Sequence, residues 1–252
     1  MMILRQRGFS LIELMVALLV ALFLLAGLGT LVAGTRKTST NQTSLATLQD
    51  EERLAMSILN DVLQTAGYFD SNPNNTTFYA SNTTALPAVT VSGGPSLAAG
   101  QIIGGIHTSN AVPDSLVAQY RSNGSDQVIN CAGQIATSTP ANPYVNFFFV
   151  PTTGVNANQL QCSPDGQSSD AVTLVSGVVN FQVWYGVSTT GTDSADTYET
   201  ADQVTNWSNV ISARVTLTFK NPLYTQPGQP QYVAFTRVIA LQKQTGPAVA
   251  AT

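Results

Sequence analysis

Between Gly8 and Arg36 the chain is apolar almost without interruption, and Glu13 is the one charged residue in that stretch. From Leu14 to Thr35 there are 22 consecutive uncharged residues. At roughly 1.5 Å rise per residue they match the roughly 30 Å hydrocarbon core of a bilayer. A lone carboxylate at such a depth is energetically expensive and marks a site with a waiting partner. Beyond Arg36 the apolar positions thin to a stripe. Leu45, Leu48, Ala55, Leu59, Val62 and Ala66, with Glu52 among them, recur at three and four, and Met56 and Leu63 widen the face, the period of an amphipathic helix. Gly67 stops the pattern and Pro73, inside SNPNNTT, opens a loop. One helix from about Phe9 to Ala66 would form a rod near 90 Å long at the same rise. The alternative is a membrane anchor joined to a separate helix near Gly27, Gly29 and Gly34.

From about Ala88 the pattern shortens to apolar or alternating runs punctuated by Gly, Pro, Asn and Ser, which reads as β structure. The expected strands are Ser115–Arg121, Gln127–Cys131, Val145–Val150, Leu160–Cys162, Val178–Gly186, Asn209–Lys220 and Tyr232–Gln242. Val179, Phe181, Val183 and Tyr185 alternate with Asn180, Gln182 and Trp184, and Val215, Leu217 and Phe219 with Thr216 and Thr218, so each run offers one face to a core. A long helix followed by antiparallel strands predicts an α+β fold, the helix's apolar stripe covering the sheet.

The chain has 252 residues, of which only 10% are charged, with a net charge of -4 and a pI of about 4.7. Beyond the apolar segment the chain is long enough for one globular domain with a real core. Arg5 and Arg7 precede the span and favour the cytoplasm, which puts the bulk of the chain across the membrane, although Arg36 and Lys37 just past it argue weakly the other way. An acidic domain with scattered Lys and Arg has no basic stripe for nucleic acid. No GxxxxGK[ST] loop, HExxH pair or paired CxxC spacing occurs. His107, in GGIHTS, is the only histidine, and no nucleophile or orienting carboxylate is marked beside it. The expectation is a non-enzymatic protein without cofactor or metal.

The segment Arg5 to Leu25, RQRGFSLIELMVALLVALFLL, names a family. Its short basic leader, Gly8-Phe9 junction, Ser-Leu-Ile-Glu run and unbroken apolar helix resemble the class III signal of type IV pilins and type II secretion pseudopilins. The resemblance implies that prepilin peptidase cuts between Gly8 and Phe9, that Phe9 becomes the N-methylated mature terminus, and that Glu13 meets the terminal amine of a neighbouring subunit during assembly. An amine of reference pKa near 8 and a carboxylate gain far more from pairing in a low-dielectric medium than in water, so pairing recruits subunits. The small-residue cleavage site precedes the apolar segment, so the segment stays in the product, unlike that of an ordinary secretory signal.

The domain narrows the resemblance. Segments PDSLVAQYR (Pro113–Arg121) and LVSGVVNFQVWYG (Leu174–Gly186), then Trp207 and VISARVTL (Val210–Leu217), look like a PilW-type minor pilin, a class similar also to the J-type pseudopilin. The implied layout is a leader at 1–8, a transmembrane or filament-core helix at 9–35, an amphipathic continuation at 36–68, a β-rich periplasmic domain at 69–244 and a tail at 245–252. The family usually carries a proline partway along the membrane half. This chain has none there, leaving Gly27 and Gly29 as the local substitutes or a straighter helix. Cys131 and Cys162 both fall in the exported part, where an oxidising periplasm favours a disulfide between them, two separate buried thiols being the alternative. The loop 186–202 clusters Asp193, Asp196, Glu199 and Asp202; it reads as a solvated acidic loop, with calcium the lesser reading because Ser188, Thr190 and Thr192 stand where further carboxylates would be wanted.

The resemblance implies an inner-membrane minor pilin that primes pilus growth with other minor pilins and the major pilin. Prepilin peptidase and the inner-membrane assembly platform are the further partners, the tip is a candidate position, and surface motility, DNA uptake and adhesion are the candidate traits. The rival readings are a type II secretion pseudopilin and a membrane-tethered adhesin or DNA-binding module delivered by a pilin leader.

Overall fold

The computed structural model describes residues 10–69, 79, 81–122, 126–135, 143–191 and 194–242. A single long helix, α1 (Leu11–Thr65), contributes to two compact units that divide between Thr47 and Leu48. In the first unit residues 11–40 are exposed on every side. The helix there passes without a break through Gly27, Gly29 and Gly34. The polar stretch after it carries its hydroxyls inward: those of Thr38, Thr40, Thr43, Ser44 and Thr47 each donate to the carbonyl four residues back at 3.0–3.1 Å. That satisfies a Ser/Thr-rich run without leaving the helix.

In the second unit the rest of α1 buries Leu48, Ala55, Met56, Leu59, Val62 and Leu63. Leu45, expected at the top of the stripe, is exposed. The helix ends where it should. Gly67 sits at φ +82°, a β-carbon there would come within 2.8 Å of Ile102 Cγ2, and its amide donates to the Gln119 carbonyl at 2.8 Å. Only glycine meets both conditions cheaply.

All the strands pair antiparallel, in two sheets. One sheet holds β1 (Ile103–Ile106), β2 (Ser115–Tyr120), β3 (Tyr144–Phe149), β4 (Gln159–Ser163) and β5 (Val172–Ser176) in that spatial order. The other holds β6 (Val178–Val187), β7 (Thr197–Glu199), β8 (Val210–Lys220) and β9 (Tyr232–Ala240) in the order β7-β6-β8-β9. The helix stripe, Phe148 and Leu160 from the first sheet, and Phe181, Tyr185, Leu217 and Phe219 from the second form one core. Strands β2 and β3 are buried on both faces, because Val91 and Leu97 of the preceding connection cover Val117, Val145 and Phe147 on the side away from that core. Their sequences are accordingly apolar almost throughout instead of alternating.

The α+β architecture is the one the sequence predicts, and six of the seven expected strands form. The seventh does not: over Gln127–Cys131 there is only an isolated bridge, Ile129 to Ile135. Gln127 has φ 55° and the Cys131 amide donates to the Asn146 side chain, so no ladder can run through the segment. Strands β1, β5 and β7 and a one-turn helix, α2 (Asn82–Ala85), are additional. In β6 a bulge between Val178 and Asn180 makes Val178, not Val179, the buried valine.

Candidate functional site

Ser10 opens α1, its carbonyl accepting the amides of Glu13 at 3.0 Å and Leu14 at 3.2 Å. Within Leu11–Thr35 Glu13 is the only charged residue and lies on the exposed surface among bare side chains, with Leu11 79% and Phe23 85% exposed. No residue of the most apolar part of the helix is buried, and by length and composition it can cross a membrane. The hydroxyls in this stretch are internally satisfied, Thr30 donating to the Gly27 carbonyl at 2.8 Å and Thr35 to that of Val32 at 3.0 Å. The result is a uniformly greasy cylinder with one acid near its start. Gly8 and Phe9 lie outside the described residues.

The second unit holds the other residues singled out by sequence. His107 follows β1 and packs on Asp114, Nδ1 to Oδ1 at 2.8 Å, with both side chains almost wholly enclosed. The other carboxylate oxygen of Asp114 accepts the Val183 amide at 2.8 Å. Burial raises the Asp114 pKa above the ordinary carboxylate value, while the Val183 amide and His107 pull it down. Next to them Tyr185 is fully buried, stacks edge-on against Trp207 at 4.8 Å, and has its phenol pushed well up by burial and by Asp114. This histidine thus helps to hold the β1–β2 connection on β6, a packing role. Sequence reasoning missed Asp114 as its partner; the two are only seven residues apart, but nothing in the local pattern marks the carboxylate as inward-facing.

Cys131 and Cys162 form a disulfide with Cα atoms 6.2 Å apart, tying the 129–135 hairpin to β4. In the acidic loop Asp193 lies outside the described residues. Asp196 Oδ2 accepts the Thr189 amide and hydroxyl at 2.7 and 2.8 Å, which lowers its pKa, and Asp202 takes the Thr200 hydroxyl at 2.6 Å. These carboxylates hold turns. Among the described residues no group of three acidic, histidine or cysteine side chains converges to hold a metal.

Two stretches of the chain match known protein families. Residues 3–29 match the family model of the prokaryotic N-terminal methylation motif, and residues 147–248 match that of type IV pilus-assembly protein W. The second match starts inside β3, so the Pro113–Arg121 segment lies outside it. Among solved structures, a type IV-like pilin from Thermus thermophilus is 15% identical, with 77% of this chain and 95% of that one covered at a TM-score of 0.44. No curated protein matches the chain. The chain therefore carries, on its apolar helix, a match to the prokaryotic N-terminal methylation motif and, in its β-rich unit, a region similar to type IV pilus-assembly protein W.

Proposed function

We propose that the chain is a minor pilin, a structural subunit that primes pilus assembly together with other minor pilins and takes its place at or near the tip. One observation carries the reading: Glu13 is the sole ionisable residue of the exposed apolar stretch Leu11–Thr35 of α1, four residues past Phe9. Prepilin peptidase cleaves after Gly8, Phe9 becomes the N-methylated terminus, and the leader at 1–8 is lost. The segment 9–35 holds the protein in the inner membrane with the β-rich unit in the periplasm. In lipid the Glu13 carboxylate has no water to solvate it, and the cationic amine of an adjacent subunit's terminus is the ligand that relieves its burial. The major pilin, the other minor pilins and the inner-membrane platform are its partners.

The test is Glu13→Ala in the native host. Mass spectrometry of the terminus is expected to show a normally cleaved, methylated Phe9, while co-purification with companion subunits and surface piliation fall. Wild-type piliation in that variant, or a mature protein still beginning at Met1, overturns the reading.

A further inference from the structure

The outer face of the β7-β6-β8-β9 sheet, turned away from the core, carries an arginine with an unusual setting. Arg214 of β8 is half-buried and lies opposite Trp184 of β6 and Val238 of β9 in the ladder. Its guanidinium carbon is 4.9 Å from the Trp184 ring centroid and 4.8 Å from that of Tyr198 on β7. Gly186 makes this possible: a β-carbon there would strike the Ser212 hydroxyl and come within 2.9 Å of Ala195 and 3.2 Å of the Tyr198 ring. Among the described residues no acceptor or carboxylate pairs with Arg214. The acids nearest in sequence are engaged elsewhere: Asp196 with Thr189, Glu199 with Thr197 and Asp202 with Thr200.

The geometry points to Arg214 as the anion-gripping centre of a protein-docking surface, its occupant a carboxylate-bearing segment of a neighbouring pilin-like subunit. The inference rests on the assembly role proposed above and names a contact outside the membrane helix. Two aromatic rings fix the guanidinium before binding, so little rotamer entropy is lost when it engages a carboxylate, which its planar fork of donors matches. Trp, Tyr and Arg are the residue types that dominate binding energy at protein interfaces. Here the three meet beside apolar surface, Tyr198 being 37% and Val238 54% exposed. The charge is complementary in kind. In a chain of net charge -4 this face is locally cationic, with Lys220 further along β8. Subunits of this build can present a carboxylate on a helix, as this chain does itself with the exposed Asp61 of α1.

The experiment places a photoreactive amino acid at Thr236, exposed on β9 beside the patch, in the full chain expressed in its native host. Irradiation is expected to give an adduct with a second subunit bearing a pilin leader, mapped by mass spectrometry to a segment containing Asp or Glu. Arg214→Ala and Arg214→Glu are each expected to lower adduct yield about tenfold, the loss of one strong contact, and Arg214→Lys to lower it less. Val238→Asp sets a carboxylate directly across the ladder from Arg214, where it occupies the guanidinium and repels an incoming acid, so it must also suppress the adduct even if the Arg214 variants fold poorly. Undiminished adducts in Arg214→Glu and Val238→Asp, adducts mapped to a segment without carboxylates, or adducts with lipid alone overturn the inference. If these results appear while Glu13→Ala still blocks piliation, the docking surface alone is refuted; normal piliation in Glu13→Ala removes the assembly reading itself.

Discussion

Asp114 stands in for a strand partner of Val183. Its Oδ2 accepts the Val183 amide at 2.8 Å across 69 residues of sequence, and its own amide donates to the Phe181 carbonyl at 2.6 Å. Strand β7 pairs with β6 only from Tyr185 onward, so the earlier part of that β6 edge has no ladder there. The connection between β1 and β2 fills it, with Gln182 and Asn180 further donating to the Val112 and Asn110 carbonyls at 2.7 and 2.9 Å. One carboxylate thereby joins the two sheets.

Asp114→Ala should therefore destabilise the protein by about 1–3 kcal/mol, the cost of leaving a buried amide unpaired. Asp114→Asn keeps an acceptor for Val183 and should lose less. Thermal unfolding of the detergent-solubilised full chain, followed by circular dichroism, distinguishes the two. Equal losses would assign the effect to the charge and His107 instead of the amide.

The same residue sets a pH dependence whose sign is fixed by its surroundings. Burial raises its pKa above the ordinary 3.8, so the native state holds this proton more tightly than the unfolded chain. The stabilisation linked to it is present at low pH and fades as pH climbs through the native value. Asp196 works the other way: threonine donors lower its pKa, so its contribution is present above 3.8 and is lost as pH falls through the native value. Denaturant midpoints across pH should show Asp114→Asn removing a decline toward higher pH and Asp196→Asn removing a loss on acidification.

Local pattern carried the helix and the long strands because each buries residues at a fixed period. Leu59 and Val62 in α1, or Val215, Leu217 and Phe219 in β8, announce their face whatever they pack against. Strand β1, Ile-Gly-Gly-Ile, does not, since glycines weaken a strand. It pairs because Gly105 lies against the Tyr185 hydroxyl and the Ser115 carbonyl, a fit that no side chain would allow and no local pattern reveals. The 127–131 segment erred in the opposite direction: apolar enough for a strand, it is diverted by Asn146 and by the disulfide at Cys131. Glu13 was legible because a charge in an apolar run is visible in one dimension. The Arg214 stack was not, because Trp184 and Tyr198 reach it from two other strands.

The disulfide closes a loop with a sequence separation of 31 between Cys131 and Cys162. On the chain-entropy account, replacing both by serine should lower stability by about 3–4 kcal/mol. Both sulfurs sit in the core, Cys131 at 2% and Cys162 at 0% exposure, so the serines also place hydroxyls in an apolar setting. Chemical denaturation of wild type with and without reductant, beside the double variant, measures the effect. A shift under about 1 kcal/mol would mean that Asn146 and the hairpin hold the segment unaided.

Two leucines of α1 sit in opposite surroundings, and their truncation separates folding from the proposed assembly role. Leu59 is 0% exposed against both sheets, whereas Leu19 is 65% exposed in the apolar unit. Leu59→Ala should cost about 2–5 kcal/mol of folding free energy, the transfer and cavity penalty of a buried leucine. Leu19 is absent from the buried cores among the described residues, so for Leu19→Ala the unfolding midpoint in detergent should stay within about 0.5 kcal/mol of wild type. The loss from Leu19→Ala should appear instead in assembly, where the bare helix finds its neighbours, read as reduced co-purification with companion subunits. A large fall in midpoint for Leu19→Ala in dispersed monomer would show that the exposed half of α1 folds back on its own protein, and the anchor role would then lose its structural basis.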